Sequence, residues 1–261
     1  MVANTELQRV GLSGWRTGLA NLVRKENRAS WASCRCLVRS LLWTAGINGF
    51  TALMMVVMPQ YSSEDPIHWG VQGLFKLGPL ALAFGTIIIL QDAIIGERQL
   101  GVTEWLLSKP LSRPAYVLSK LLAHGFGILV ILVGLQGTLG YGVLWLVMGE
   151  PFPLSLYLVG MAGLAVHTLF YLALTLMMGV LTANRRMLLG VSQGVLLGGM
   201  LTTNFLGTAV MLTPWGLVQV LHAAVLGMPL PLPVWLPIGV TASLTVICVA
   251  VALARFERLE F

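Results

Sequence analysis

From residue 40 onward the chain alternates long apolar runs with short polar breaks, and the runs have the length that crosses a bilayer. In a helix about twenty apolar residues cover the ~30 Å of hydrocarbon. Such runs occupy residues 40–58, 70–95, 118–148, 154–181, 187–212 and 236–254. The third is long enough to tilt or to project beyond the bilayer. Between Met187 and Ala254 there is no formal charge, and proline divides the stretch. Thr213-Pro214 opens a helix by cap and first-turn logic, Gly227 closes it, and Pro229-Leu230-Pro231-Leu232-Pro233 cannot continue it. The pattern predicts an all-α polytopic membrane protein with six spans and an outer helical hairpin at 213–235 between the last two. Ahead of the first run, residues 1–12 read as loosely ordered. From Trp15 an apolar stripe of Trp15, Leu19, Leu22 and Val23 opposes Arg16, Arg24, Lys25 and Arg28, which predicts a helix lying in the membrane interface.

Composition agrees: 57% of residues are apolar and 10% charged, with a mean hydropathy of +0.84. That excludes an ordinary soluble domain, where about a quarter of residues are charged. The net charge of +6 is informative by position. The break at 59–69 carries Glu64 and Asp65 without a base, whereas Asn184-Arg185-Arg186 and the tail Arg255-Phe256-Glu257-Arg258 are basic. Of the sixteen Lys and Arg, all but Lys76 fall on one side of this topology, so that side is cytoplasmic and both termini lie there. Lys76 can snorkel toward the outer end of the second span. No cleavable leader is visible, since the first apolar run starts only after Arg39, and the first span serves as its own insertion signal. The organisation expected is a cytoplasmic segment 1–39, a six-span domain 40–254 and a cytoplasmic tail 255–261. Three cysteines, Cys34, Cys36 and Cys248, imply no disulfide framework.

The longest charged stretch between spans is 96–120, G-E-R-Q-L-G-V-T-E-W-L-L-S-K-P-L-S-R-P-A-Y-V-L-S-K. Asp92 and Gly96 close the preceding span, Gly101 breaks the backbone, and Thr103 can cap a short helix at 104–108. Pro110 stops that helix, because it disfavours the α region for Lys109. Ser112 followed by Arg113-Pro114 reads as a new cap with proline in the first turn, and the helix it opens runs into the third span.

The spacing of Glu97, Gly101, Glu104, Pro110, Ser112, Arg113 and Lys120 resembles the loop between the second and third spans of ABC-2 type permeases. Val102 and Ser119 depart from the family pattern. The D-A-I-I-G-E run at 92–97 and the compact size also resemble the permease of the nitrous oxide reductase maturation system. The resemblance implies an N-terminal elbow helix and a cytoplasmic coupling helix within 96–118. It implies a permease subunit of an exporter in the cytoplasmic (inner) membrane, paired with a second permease chain as homodimer or heterodimer and with two copies of an ABC ATPase. ATP and Mg would be bound by the ATPase, with no cofactor in this chain and no nucleic-acid partner. Glu97, Arg98, Gly101, Glu104 and Trp105 are then the expected ATPase-coupling residues, with Trp105, Leu106 and Leu107 supplying apolar surface and the two glutamates pairing with bases on the partner.

No phosphate-binding loop is present: Lys25, Lys76, Lys109 and Lys120 precede Glu, Leu, Pro and Leu where that loop needs Ser or Thr. H-E-x-x-H is absent, and His68, His124, His167 and His222 are scattered, so no catalytic residue and no metal site is assigned. Gly11-Leu12-Ser13-Gly14 resembles the nucleophile motif of rhomboid proteases, but it sits in the polar lead. Met54, Met55 and Met58, like Cys34-x-Cys36, are soft ligands whose ordinary reading is packing. Within the spans His167, Gln193 and Asn204 are candidates either for a substrate path or for interhelical hydrogen bonding, and Gly190, Gly194 and Gly198 favour close helix contact. Two other classes stay open: a mechanotransmitting or assembly component that moves no solute, and an intramembrane enzyme.

Overall fold

The computed structural model describes residues 14–31, 34–230 and 233–259, and the described residues are helical with no strand. The first twelve residues, most of the Gly11–Gly14 run and the side chains of Cys34 and Cys36 lie outside that description. In chain order come α1 (Leu19–Trp31), α2 (Cys34–Val57), α3 (Pro66–Gln72), α4 (Gly78–Leu90), α5 (Ile95–Gln99), α6 (Val102–Leu107), α7 (Arg113–Gly127), α8 (Gln136–Met148), α9 (Leu154–Leu181), α10 (Arg185–Thr202), α11 (Pro214–Val225) and α12 (Trp235–Glu257). Wide π turns, Gly73–Leu77 and Ile128–Leu135, join α3 to α4 and α7 to α8.

Five helical stretches are long and apolar enough to cross a membrane: Ser40–Gln60, Pro66–Gln99, Arg113–Met148, Leu154–Leu181 and Trp235–Glu257. The fourth has the bounds expected from sequence. The second and third are longer, because α5 carries the helix past Gly96 and because α7 starts at the Ser112 cap. There the Ser112 hydroxyl accepts from the Ala115 N–H at 3.2 Å and donates to the Trp15 carbonyl. The fifth apolar run, 187–212, is interrupted. It is helical as α10 only to Thr202, then turns, and Gly207–Leu212 forms a 3-10 turn that leads into α11. α10 opens on Arg185 and Arg186 and carries Ser192 and Gln193, and so falls outside the five. The outer hairpin is this 3-10 turn followed by α11, which ends before Gly227 at φ +68°. Thr213 precedes α11 in extended backbone, but its hydroxyl donates back to the Val210 carbonyl instead of capping the helix.

α9 is the central post. α4, α11 and α12 pack along it, and its buried face includes Leu164, His167, Tyr171, Leu172 and Leu176. By contrast α2 and α12 are buried over only a minority of their spans, with Leu41, Leu42, Leu53, Val56, Val246 and Ile247 exposed. α1 lies along α7. At the basic end Arg113 Nη1 donates to the Glu257 and Leu259 carbonyls at 2.6 and 2.7 Å, and Tyr116 stacks on Phe256. A cation at the end of α12 is favourable to its dipole. The N-terminal helix and the end of α12 therefore meet at one end of the bundle, beside α5 and α6.

The first π turn has a local cause. Pro79 has no N–H to donate to residue 75 and perturbs the preceding turn, and the Gly78 N–H bonds back five residues to Gly73. Gly73 also lets α2 approach: a Cβ there would lie 2.8 Å from Thr51 Oγ1 and 3.2 Å from Thr51 Cα. Gly73→Val should cost about 1–3 kcal/mol through overpacking, seen as a lowered melting temperature in detergent. Gly142→Val, where nothing lies within 4 Å, should change stability by no more than about 0.5 kcal/mol.

Candidate functional site

The loop between the second and third long helices is braced from within. On α7, Tyr116, Lys120 and His124 recur every fourth residue, so they share a face, and α1 packs across it. On α1 the buried face reads Leu19, Leu22, Glu26, which puts a carboxylate in the apolar stripe. Lys120 is only 2% exposed; its ammonium lies 2.9 Å from Glu26 Oε1 and 2.8 Å from Glu97 Oε2. Lys25 reaches the same pair, at 2.8 Å from Glu97 and 3.5 Å from Glu26. The Tyr116 hydroxyl donates to Glu97 at 2.7 Å and lies 3.1 Å from the Thr103 hydroxyl, while His124 Nε2 is 3.9 Å from Glu26. Two cations thus face two carboxylates in a cluster that closes α1, α5, α6 and α7 together.

Partial burial pulls the Lys25 ammonium below its ordinary 10.5, but the hydrogen bond and charge of Glu97, with Glu26 behind it, outweigh that and raise it. A raised lysine stabilises the fold below its ordinary range, so the contribution is intact at neutral pH and lost as the solution is made strongly alkaline.

The sequence placed Thr103 as the cap of the short helix. Gly101 holds that position instead, at φ +68°, a conformation costly for a side chain. Thr103 is buried against Tyr116, because α6 begins two residues earlier and turns it inward. Leu106 is likewise buried, so it does not add to an outer apolar surface with Trp105. The outward face of α6 consists of Glu104, Trp105 and, just beyond, Ser108 and Lys109. Trp105 is 59% exposed, with the Lys109 ammonium 3.7 Å above its ring. Arg98 is half-buried on α5. Of the expected coupling residues, Glu104 and Trp105 face out, Gly101 sets the turn, and Glu97 is spent on internal pairing.

The span candidates separate from this cluster and from one another. His167 is fully buried, with Nδ1 3.2 Å from the Pro214 carbonyl and its ring against the edges of Tyr171 and Trp215. A carbonyl only accepts, so Nδ1 carries the proton and ties α9 to the start of α11. Gln193 is half-buried on α10. Asn204 is exposed beyond α10, lining a small cavity with Lys76 and Gln219. Asp92 reaches the basic loop after α9, 3.4 Å from Arg185. Both partners are about half exposed, a setting in which such pairs are worth at most about 1 kcal/mol.

Sequence reasoning missed Glu26 and Tyr116. The available signal was an acid on the apolar face of α1, and polar residues repeating at helical spacing where α7 enters the apolar span.

Several apolar helices of spanning length, a minority of charged side chains gathered at one end, and a short helix exposed on a braced loop there define a multi-pass membrane protein. Its sequence matches the pattern of the ABC-2 family transporter proteins over residues 20–261, and the chain belongs to that family. It is thus a membrane permease of an ABC transporter, the transmembrane component that works with an ABC ATPase. No curated protein sequence matches it significantly.

Lys120→Met leaves Glu26 and Glu97 facing each other with one cation short, and should destabilise the protein by about 3–5 kcal/mol. Adding Glu26→Gln, which restores neutrality around Lys25 and Glu97, should recover part of that loss. Thermal unfolding of the detergent-solubilised single and double variants measures both, and the coupling follows from the cycle.

Proposed function

We propose that this chain is the permease subunit of an ATP-driven exporter in the cytoplasmic membrane, with α6 as the element on which the ATPase pushes. The observation that carries the reading is the exposed pair Glu104 and Trp105 on a helix too short to be stable alone, set directly over the Lys120 cluster. A push on α6 reaches Thr103, Tyr116 and Glu97, and from them α7 and α1, with no flexible link between. The ATPase binds ATP and Mg. Two ATPase copies and two permease chains, identical or not, form the working assembly, and the exposed apolar faces of α2, α10 and α12 are available for the second chain and for lipid. The resemblance to ABC-2 exporters supports export as the direction.

Six crossings with both termini cytoplasmic is the topology proposed. The meeting of the first helix and the end of α12 at one end of the bundle supports an even number of crossings, and in this reading α10 joins the five longer helices as the sixth. At 18 residues it spans ~27 Å at 1.5 Å per residue, close to the hydrocarbon thickness. Cysteines introduced at Ser63 and Ser108, both exposed, should react with a membrane-impermeant maleimide from opposite sides. Labelling of both from the same side overturns the topology.

Truncating a central interface aromatic commonly costs on the order of 2 kcal/mol or more, so Trp105→Ala should weaken copurification of the ATPase by about 30-fold. Glu104→Ala removes an exposed charge worth about 0.2–1 kcal/mol; it should leave assembly nearly intact and lower permease-dependent ATP turnover. Normal copurification, turnover and transport in the double variant would overturn α6 as the coupling element.

A further inference from the structure

Two cavities, one wholly apolar and one apolar with a cluster of four polar residues in its wall, flank a single ridge on α4. The larger, about 460 Å³, lies between α2 and the π turn with α4, walled by Trp43, Ile47 and Phe50 on one side and by Gly73, Ala81 and Phe84 on the other. The smaller, about 160 Å³, lies between α4, the segment after α10, and α11, and its polar lining is Lys76, Thr203, Asn204 and Gln219. Leu77 and Leu80 line both, so the two spaces are neighbours across one row of side chains.

Their levels differ in a way that matters in a bilayer. The polar cavity sits at Lys76, toward the end of the bundle opposite the basic cluster. The apolar cavity starts at that level, at Gly73 and Phe50, and extends to Phe84 and Trp43. Eleven residues of helix at 1.5 Å each make that ~16 Å, running along α4 from the level of Lys76 toward the basic end, while on α2 the wall runs from Phe50, midway along Ser40–Gln60, to Trp43. A molecule with its polar head at Lys76 and one chain along α4 would therefore lie as an outer-leaflet lipid does.

The head site selects for negative charge. Lys76 offers three donors and no acceptor, and among the described residues no carboxylate forms an ion pair with it. The ionisable neighbour it influences is His222, whose ring in turn faces His68, and the carboxylate on that side, Glu64, pairs with His68 at 3.6 Å and not with Lys76. Asn204 and Gln219 add amide donors, and the Thr203 hydroxyl, which donates to the Met200 carbonyl, keeps acceptor capacity. The tail site is wholly apolar, but lipid hydrocarbon is as apolar as its walls, so the tail orients the molecule while the head decides affinity.

We propose that this paired site holds an anionic lipid of the outer leaflet, its head on Lys76, Asn204 and Gln219 and one acyl chain between α2 and α4.

The test uses the full-length protein in detergent, titrated with phosphatidylglycerol or with phosphatidylcholine of equal chain length and read by native mass spectrometry. The wild type should retain phosphatidylglycerol about tenfold more strongly, the scale of one charge-assisted hydrogen bond. Lys76→Gln should bring the two lipids to the same retention. Ala81→Trp, which fills the apolar cavity, should reduce retention of both. Glycerol 1-phosphate, the head without a chain, should fail to displace phosphatidylglycerol at equal concentration. Equal retention of the two lipids by the wild type, an unchanged preference in Lys76→Gln, unchanged retention in Ala81→Trp, or full displacement by glycerol 1-phosphate would each overturn the proposal. Copurification of the ATPase with the same Lys76→Gln and wild-type samples reports on the permease reading separately, because Lys76 is remote from α6.

Discussion

A lysine that is 2% exposed must be neutralised where it sits, because an unpaired ammonium in such a setting costs several kcal/mol. Lys120 meets that requirement with two carboxylates from different elements, Glu26 of α1 and Glu97 of α5, and the arrangement of the basic end follows from it. α1 must lie along α7 to deliver Glu26. The end of the second long helix must approach the start of the third to deliver Glu97. The loop between them is thereby held at both ends, and its middle, Gly101 to Lys109, buries Thr103 and Leu106 and turns Glu104, Trp105, Ser108 and Lys109 outward.

Two of the positions that carry the family resemblance acquire a physical meaning here. Glu97 and Lys120 are 23 residues apart in sequence and form one ion pair at 2.8 Å. The spacing records the length of loop that one short helix and one turn occupy between paired charges. Arg113 has a comparable role, holding the end of α12 through the carbonyls of Glu257 and Leu259. Force applied to α6 would meet a unit made of α1, α5, α7 and the end of α12, not a single helix.

Farther along the spans the backbone is less regular. The helical hydrogen-bond ladder widens at Gly73–Leu77 and again at Ile128–Leu135, so both long helices that leave the basic end change register before they reach the other side. At the first of these turns Pro79 supplies the cause, and Gly73 permits the contact with Thr51. Lys76 projects from that same turn, which brings the proposed head site and the irregular backbone together.

Much of this was legible along the chain, since the bilayer imposes a length and a polarity that sequence states directly. Residues 154–181 were bounded correctly, Ser112 opens a helix and Pro110 and Gly227 follow helix ends as their types suggest, because capping and proline effects are local. The exposed tryptophan on a short helix was also readable. The partnerships were not. Glu97 read as a surface acid for a partner protein and is turned inward; Thr103 read as a cap and bonds to Tyr116; Leu106 read as docking surface and is buried. Each depends on which face of a helix meets which neighbour, a matter decided by contacts tens of residues away in sequence. The fifth apolar run shows the same limit, since its hydropathy said membrane while the break after Thr202 arises where the chain turns toward α11. Sequence determined that the chain is helical, where its apolar runs lie and which end is charged, because those obey local propensity and the solvent. Tertiary structure decided the pairing of the buried charges, because only packing brings Glu26, Glu97 and Lys120 within reach of one another.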